Sequence, residues 1–546
     1  MRFAVPILEA AEVGPLTEAG AAEFYCGYQD AAWIARFGDH DSASRRQGRA
    51  NLSDPGTLRE LAAEARKNDR PISLALNGRV SAGQLDDCRR LAELWCRCGG
   101  TGVILRDPAL LTLLREEFPL RYTASLLAVT VNAAGAQFWR ELGADRIVLP
   151  RFLSPEEMGA VAAGTPEPEY EAMVMGDRCL FIDGFCRSIH ALGRQRAIPG
   201  TEPQDVRYTW NPTGSAFHLC GEFCTPASDP CAACALTELE SCGVTVGKLG
   251  GRGLPLETRL RWLRFLRMAG REKSAPAVQA AYRERFGHAC CCYYPDTKPD
   301  RKSAATKGKS TNHCPPEAAP TVLGHHGCPR ALREILETLP SIPDGQSSAL
   351  RLVIPPLMPG LFADFEEILT RISQRERTEL VLNDYGALYC AAARKRGGAL
   401  KAELTLGVLL SGQETDPVLT DLTQLQDGGV FWEPDGCVEL RWSPPPETLQ
   451  AHWRCPSALH QADLLRSLGV TGVELGPQAL EPPPELPGLR VRRLDSAVVS
   501  VFPCRGDCAH CGGQKIQRAG KCLYSDRNLL LWSSGPLPGK KAGKTG

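Results

Sequence analysis

Four cysteines within one stretch, Cys179, Cys186, Cys220 and Cys234, follow a strand-like run from Tyr170 to Gly176. Thiolates are the soft ligands that select iron–sulfur clusters or zinc, and four of them meet the ligand count of either. Cys224, Cys231 and Cys242 lie close enough in sequence to compete for the third and fourth places. A second group stands near the end of the chain, where Cys504, Cys508 and Cys511 have Cys-x3-Cys-x2-Cys spacing and Cys522 supplies a fourth thiol. That group fits a closed site holding zinc or a cluster.

The 546 residues carry 63 basic and 63 acidic side chains, so no global field draws the chain to nucleic acid or an anionic membrane. The start runs straight into a strand pattern without a signal peptide, and no apolar stretch is long enough to span a bilayer. A cytoplasmic protein with no membrane span is therefore expected. In a reducing compartment 23 cysteines argue for metal or redox chemistry rather than disulfides. About half of them are expected to pack as small hydrophobes.

Elements that must position the first cysteine group alternate through the first half. Strands are expected at residues 3–7, 23–27, 72–77, 102–106, 121–125, 146–150, 171–176 and 244–249, with apolar residues at helical spacing between several of them. Asp54, Asp107 and Ser154 stand where helix N-caps belong. Eight parallel strands with crossover helices imply an α/β fold built on a (β/α)8 barrel, whose chemistry gathers at the carboxyl ends of the strands. The cysteines follow such an end.

Several blocks then resemble, in order, those of the peptidase U32 family. They are AGAAEFYCG at 19–27, residues 51–53, residues 76–77, LGADRIVLP at 142–150, residues 154–157, the strand from Tyr170 to Cys179 with Gly184 and Cys186, and residues 243–252. The resemblance covers about residues 1–275. It implies a barrel carrying a [4Fe-4S] cluster, with Cys179 and Cys186 matching the first two ligands, Cys220 the third and Cys234 the last. The family name records a protease, whereas several relatives act in oxygen-independent hydroxylation of tRNA, ribosomal RNA or the ubiquinone ring, those that modify RNA being linked to prephenate as hydroxyl source. The chain departs from the family at Met175, where a histidine is common, at Gly250, where a glutamate stands, and in a longer insertion between Cys186 and Cys220.

The function implied is oxygen-independent hydroxylation of a small aromatic or nucleobase substrate. The alternatives are a U32-type peptidase and a non-catalytic iron–sulfur assembly subunit. Lys248 and Arg252, at the last barrel strand, and Arg194 are candidates to bind an anionic substrate, because arginine grips a carboxylate bidentately. The catalytic residues are not legible. Partners implied are a small-molecule substrate or RNA, and a related U32-type subunit. No phosphate-binding glycine loop, zinc-protease helix or nucleophile elbow is present.

The remaining chain divides by composition. Residues 276–347 read as a Cys/His-containing linker, with His288, Cys290, Cys291 and Cys292 before a Lys/Ser/Thr/Pro run and His313, Cys314, His325, His326 and Cys328 after it. Residues 348–503 alternate strand and helix again, and SLGVTGVELGP at 467–477 repeats the cadence of residues 141–150, so a partial barrel related to the first is expected. LVLNDYG at 380–386 with GVLLSGQ at 407–413 weakly resembles U32-like companion subunits, so that two linked modules would mimic a heterodimer. Residues 504–534 form a Cys-rich segment that follows the last strand, a position that argues against a radical S-adenosylmethionine enzyme. Residues 535–546 read as a disordered tail.

Overall fold

The computed structural model describes residues 1–37, 42–45, 50–176, 182–185, 231–272, 274–287, 293–294, 321–343, 349–411, 455–476, 486–494 and 497–501, with strand residues 209–210, 217–218, 430–432, 438–440, 515–518, 521–526 and 529–533. Eight strands close into a parallel barrel: β1 (Arg2–Pro6), β2 (Glu23–Cys26), β3 (Ile72–Leu76), β4 (Gly102–Leu105), β5 (Arg121–Ala124), β6 (Arg146–Val148), β7 (Glu169–Met175) and β8 (Val244–Leu249). β8 pairs with both β7 and β1, so every edge is satisfied. The eight strands fall where the alternation of the sequence places them.

Local chemistry explains the helices between them. α1 (Val13–Ala19) and α2 (Ala31–Phe37) follow β1 and β2. The Asp54 side chain accepts from Thr57 N–H to cap α3 (Pro55–Lys67), Asp107 accepts from Ala109 and Leu110 to cap α5 (Pro108–Glu117), and Ser154 forms a capping box with Glu157 at α7 (Pro155–Gly164). In all three a proline with pre-set φ occupies the first turn. α4 (Leu85–Cys98) buries Cys88, Leu91, Ala92, Trp95 and Cys98 along one stripe, so two of the cysteines serve as core residues. α6 (Ala133–Leu142) follows β5. α8 (Leu236–Ser241), α9 (Leu256–Ala269) and α10 (Ala275–Phe286) complete the barrel's coat, with Tyr282 and Phe286 packed on Phe265.

The barrel interior departs from the usual aliphatic layers. Side chains on a strand alternate faces, and two residues before the mouth-lining positions the faces turned inward carry Glu23, Arg146 and Glu171. Arg146 Nη1 donates to Glu171 at 2.8 Å and lies 2.9 Å from Glu23, while its Nε reaches Glu169 at 2.7 Å. Above it, Lys248 Nζ donates to Glu171 at 2.6 Å. Burial pushes the Glu171 carboxyl up, but Lys248 and Arg146 outweigh it and hold the group below the usual carboxylate range.

A second sheet of six parallel strands runs β9 (Thr321–Gly324), β10 (Leu350–Ile354), β11 (Thr378–Leu382), β12 (Glu403–Leu406), β13 (Val470–Leu475) and β14 (Arg490–Arg493), curled as a half-barrel. Its helices are α11 (Ala331–Thr338), α12 (Phe362–Arg371), α13 (Tyr385–Arg396) and α14 (Ala462–Ser467). β9 comes from the stretch read as linker, and α10, from the same stretch, packs on the barrel. The end of the alternating stretch 348–503 holds two strands: β14 closes the parallel sheet, and β15 (Ala497–Val501) opens a four-stranded antiparallel sheet with β16 (Lys515–Arg518), β17 (Lys521–Asp526) and β18 (Leu529–Ser533). Among the described residues no helix is long and apolar enough to cross a membrane.

Replacing Glu171 with glutamine should destabilise the barrel by about 3–5 kcal/mol at pH 7, because Arg146 and Lys248 lose a buried partner. A depressed folded-state pKa contributes stability that is present above the unfolded value of about 4.3 and lost as pH falls through the folded one. The gap between wild type and Glu171→Gln in urea titrations should therefore be full at pH 6–7 and close as pH drops below about 4.

Candidate active site at the barrel mouth

The carboxyl ends of the strands enclose a cavity of about 110 Å³ walled by Tyr25, Ser44, Arg45, Asn77, Ser125, Arg151, Met173, Asp183, Lys248 and Arg252, among others. Most of the polar wall residues are held by neighbours. The Lys248 ammonium lies 4.4 Å from the centre of the Tyr25 ring, whose hydroxyl donates to Leu249 O at 2.6 Å. Cation–π contact and Glu171 together aim the ammonium along the wall.

Arg252 is fixed by a loop that returns between β2 and α3. Its Nη2 donates to Ser44 O at 2.9 Å and to Ser44 Oγ at 3.0 Å, and the Ser44 hydroxyl in turn donates to Asn51 Oδ1 at 2.6 Å. Asn51 in turn donates to Gln29 and Ser42, each at 3.3 Å. Gly27 makes this possible, since a Cβ there would stand 2.2 Å from Asn51 Oδ1 and 2.4 Å from Arg252 Nη1. Next to Ser44, Arg45 adopts φ 60°, a conformation that costs a non-glycine residue energy and clusters at functional sites. Its Nη2 is buried and has no hydrogen-bond partner among the described residues.

Across the mouth, Asn77 at the end of β3 donates to Ser125 Oγ at 3.2 Å and leaves its buried Oδ1 without a partner among the described residues. Arg151, past β6, pairs with Asp183 through Nε at 3.1 Å and also through Nη2. The wall thus offers four cations, Arg45, Arg151, Lys248 and Arg252, against the carboxylate of Asp183, with Glu171 beneath Lys248. Such a site favours an anion that also presents a hydrogen-bond donor to Asn77.

Of the residues singled out by sequence, Lys248 and Arg252 both line this mouth. Arg194, Cys179, Cys186, Cys220 and Cys224 lie outside the described residues, as do Cys504, Cys508 and Cys511, while the backbone of Cys522 belongs to β17. Cys231 bridges to Met175 at the end of β7, Ala232 N donates to Val174 O at 2.8 Å, and Cys234 follows in the same turn. The segment carrying Cys234 thereby comes back to the strand end that leads to Cys179. Cys242 instead packs on Gly159 of α7, on the outer helix layer. Among the described residues no three His, Cys, Asp or Glu side chains converge on a metal position, and His325, His326 and Cys328 make a turn in which His325 Nδ1 accepts from the amides of Gly327 and Cys328. Asn77, Arg151 and Asp183 escaped assignment to the site from sequence; the signal that finds Asn77 and Arg151 is their position just beyond a strand's carboxyl end.

A closed (β/α)8 barrel whose mouth is lined with cations defines a TIM-barrel-like protein. The chain belongs to the peptidase family U32, whose model matches residues 9–288, slightly more than half of its length. It is 32% identical over 114 residues to tRNA hydroxylation protein P of Escherichia coli, covering 21% of this chain and 25% of that protein. It is 36% identical over 109 residues to the protein of the same name from Haemophilus influenzae, covering 20% and 24%. The matched stretch spans about a quarter of the length of these curated relatives. Among solved structures it is similar to the U32 peptidase Mk0906, at 16% identity and TM-score 0.30 over 46% of this chain and 93% of that one.

Substituting Gly27 with alanine should push Asn51 and Arg252 apart and destabilise the protein by about 1–3 kcal/mol, the range of an overpacked core site. Urea denaturation measures this; a change under about 0.5 kcal/mol, typical of a neutral surface site, would show that the Arg252 cradle yields freely.

Proposed function

We propose that the chain is an iron–sulfur enzyme that hydroxylates a nucleobase or small aromatic substrate without oxygen. The observation that carries this reading is the joining of two features at one strand end. Asp183, which lies in sequence between Cys179 and Cys186, forms part of the cationic mouth's wall, and the turn bearing Cys234 returns to the end of β7. The relatives named for tRNA hydroxylation favour a nucleobase over a quinone.

Cys179, Cys186, Cys220 and Cys234 would hold a [4Fe-4S] cluster, the soft donor set that such a group requires. When bound, the cluster supplies redox-active iron to the reaction. The chain's own residues bind and orient. Arg252 and Arg45 take the anionic group of the ligand, since both guanidinium groups reach the cavity while a loop fixes the first by its other edge. Lys248, held by Glu171 and Tyr25, lines the same cavity. Asn77 Oδ1 accepts from a ligand hydroxyl or N–H. The C-terminal thiols Cys504, Cys508, Cys511 and Cys522 would hold a second, closed metal site.

Protein purified without oxygen should contain about four iron and four sulfide per chain from the first group, and the Cys179→Ala, Cys186→Ala double variant should lose them together with the visible chromophore. In a deletion strain grown without oxygen, mass spectrometry of digested tRNA should show the loss of one hydroxylated nucleoside that wild type restores and the double variant does not. An unchanged nucleoside inventory, with peptide cleavage that persists in the double variant, would assign the protein to proteolysis instead.

A further inference from the structure

Two carboxylates at matching positions of the barrel and the second unit are bonded crosswise. Asp107 is the second residue past β4 and caps α5 with Oδ1; Asp384 is the second residue past β11 and caps α13 with Oδ1, accepting from Gly386 and Ala387. Each also offers Oδ2 to the other unit. Gln461 Nε2 donates to Asp107 Oδ2 at 2.7 Å, and Asn132 Nδ2 donates to Asp384 Oδ2 at 2.8 Å. The donors match as well, because Asn132 is the N-cap of α6 and Gln461 the N-cap of α14, in each unit the helix that precedes the next strand of the sheet. A contact answered by its own reverse is the mark of a twofold, self-complementary interface.

The rest of the seam fits that arrangement. Phe138 of α6 stacks on Tyr385 of α13, with centroids 4.9 Å apart and planes 7° from parallel. Gly135 and Gly386 let the helices meet: a Cβ on Gly386 would stand 2.0 Å from Asn132 Oδ1 and 2.6 Å from Gly135 N. The symmetry is broken where His460 adds a 2.9 Å contact to Asp107, and where Leu357 N donates to Asp384 Oδ2 and Leu357 O accepts from Asn132 Nδ2, each at 2.9 Å.

This seam runs into the mouth. A small cavity of about 20 Å³ on the seam is lined by Leu127 and Ala128 from the turn after β5, by Leu409 and Leu410 from the matching turn after β12, and by Phe185. Leu127 also walls the mouth cavity, and so does Asp183, two residues before Phe185. Arg106 Nη2 donates to Gly184 O at 3.1 Å, and Ile182 N donates to Val501 O of β15 at 2.9 Å.

We infer that the second unit is a resident partner, docked on a twofold face of the barrel that fits another barrel of the same kind, and that it sets the mouth by holding turns 125–128 and 182–185. The inference holds whatever reaction the mouth performs. It goes beyond a likeness to companion subunits in naming the surface and its effect on the site.

Hydrogen exchange of the full chain read by mass spectrometry tests it. Gly386→Leu, and separately the double variant Asn132→Leu with Gln461→Leu, should speed exchange at α6 and α13 and raise it at least tenfold at 127–129 and 182–185, while β3, β4 and β8 keep wild-type protection. Two results overturn the inference: mouth turns that keep their protection once α6 and α13 have opened, or α6 and α13 that stay closed in both variants. Should Gly386→Leu lose protection throughout, the double variant, which removes amides without adding a clash, decides.

Discussion

Everything at the mouth rests on one buried cation. Arg146 stands inside the barrel with carboxylates from β2 and β7 around it, and none of these groups has water to fall back on. Burial works against the Arg146 charge, yet Glu171 and Glu23 outweigh it and raise its proton affinity above the ordinary value. Such a cluster is costly to assemble and costly to break, because removal of any member strands the others in a medium of low dielectric. What it secures is orientation. With one oxygen of Glu171 bound by Arg146, the other points at Lys248 and fixes that ammonium beside Tyr25.

The second unit repeats the device. Arg351 in β10 pairs with Glu379 of β11 and Glu474 of β13, and Thr405 in β12 donates to Glu379 at 2.6 Å. His326, at the carboxyl end of β9, faces Glu474 across 3.5 Å and Asn383 across 3.2 Å; burial lowers its proton affinity despite the carboxylate. A charged ladder inside a parallel sheet thus marks both units, in keeping with the shared cadence of residues 141–150 and 467–477. They differ in what lies above the ladder. The barrel closes around its mouth, whereas the six-stranded sheet stays open and turns its strand-end loops toward the barrel's own turn at Leu127 and Ala128.

Docking then makes opposite demands on two similar aspartates. Burial raises both, but His460 and its hydrogen bond hold Asp107 below the usual carboxylate range, while Asp384, surrounded by amide donors, is left above it. The seam therefore sets one aspartate against a histidine and the other against amide donors, though the backbone arrangement is matched.

Sequence by itself determined the barrel and much of its boundary detail. Strand periodicity, the Asp-Pro and Ser-Pro starts and the ordered U32 blocks are local signals, set by backbone sterics and capping chemistry, and each survives in the fold. Lys248 and Arg252 were legible as site residues because they stand at the last strand's end. The tertiary structure alone decided the rest. Asn77, Arg151 and Asp183 reach the mouth from three separate segments, so no spacing in the chain relates them. Glu171 reads as one more charge in a strand until closure places it between Arg146 and Lys248. Asp107 and Asp384 look like ordinary helix caps until docking gives their second oxygens to Gln461 and Asn132, because a carboxylate has two acceptors and the sequence accounts for only one.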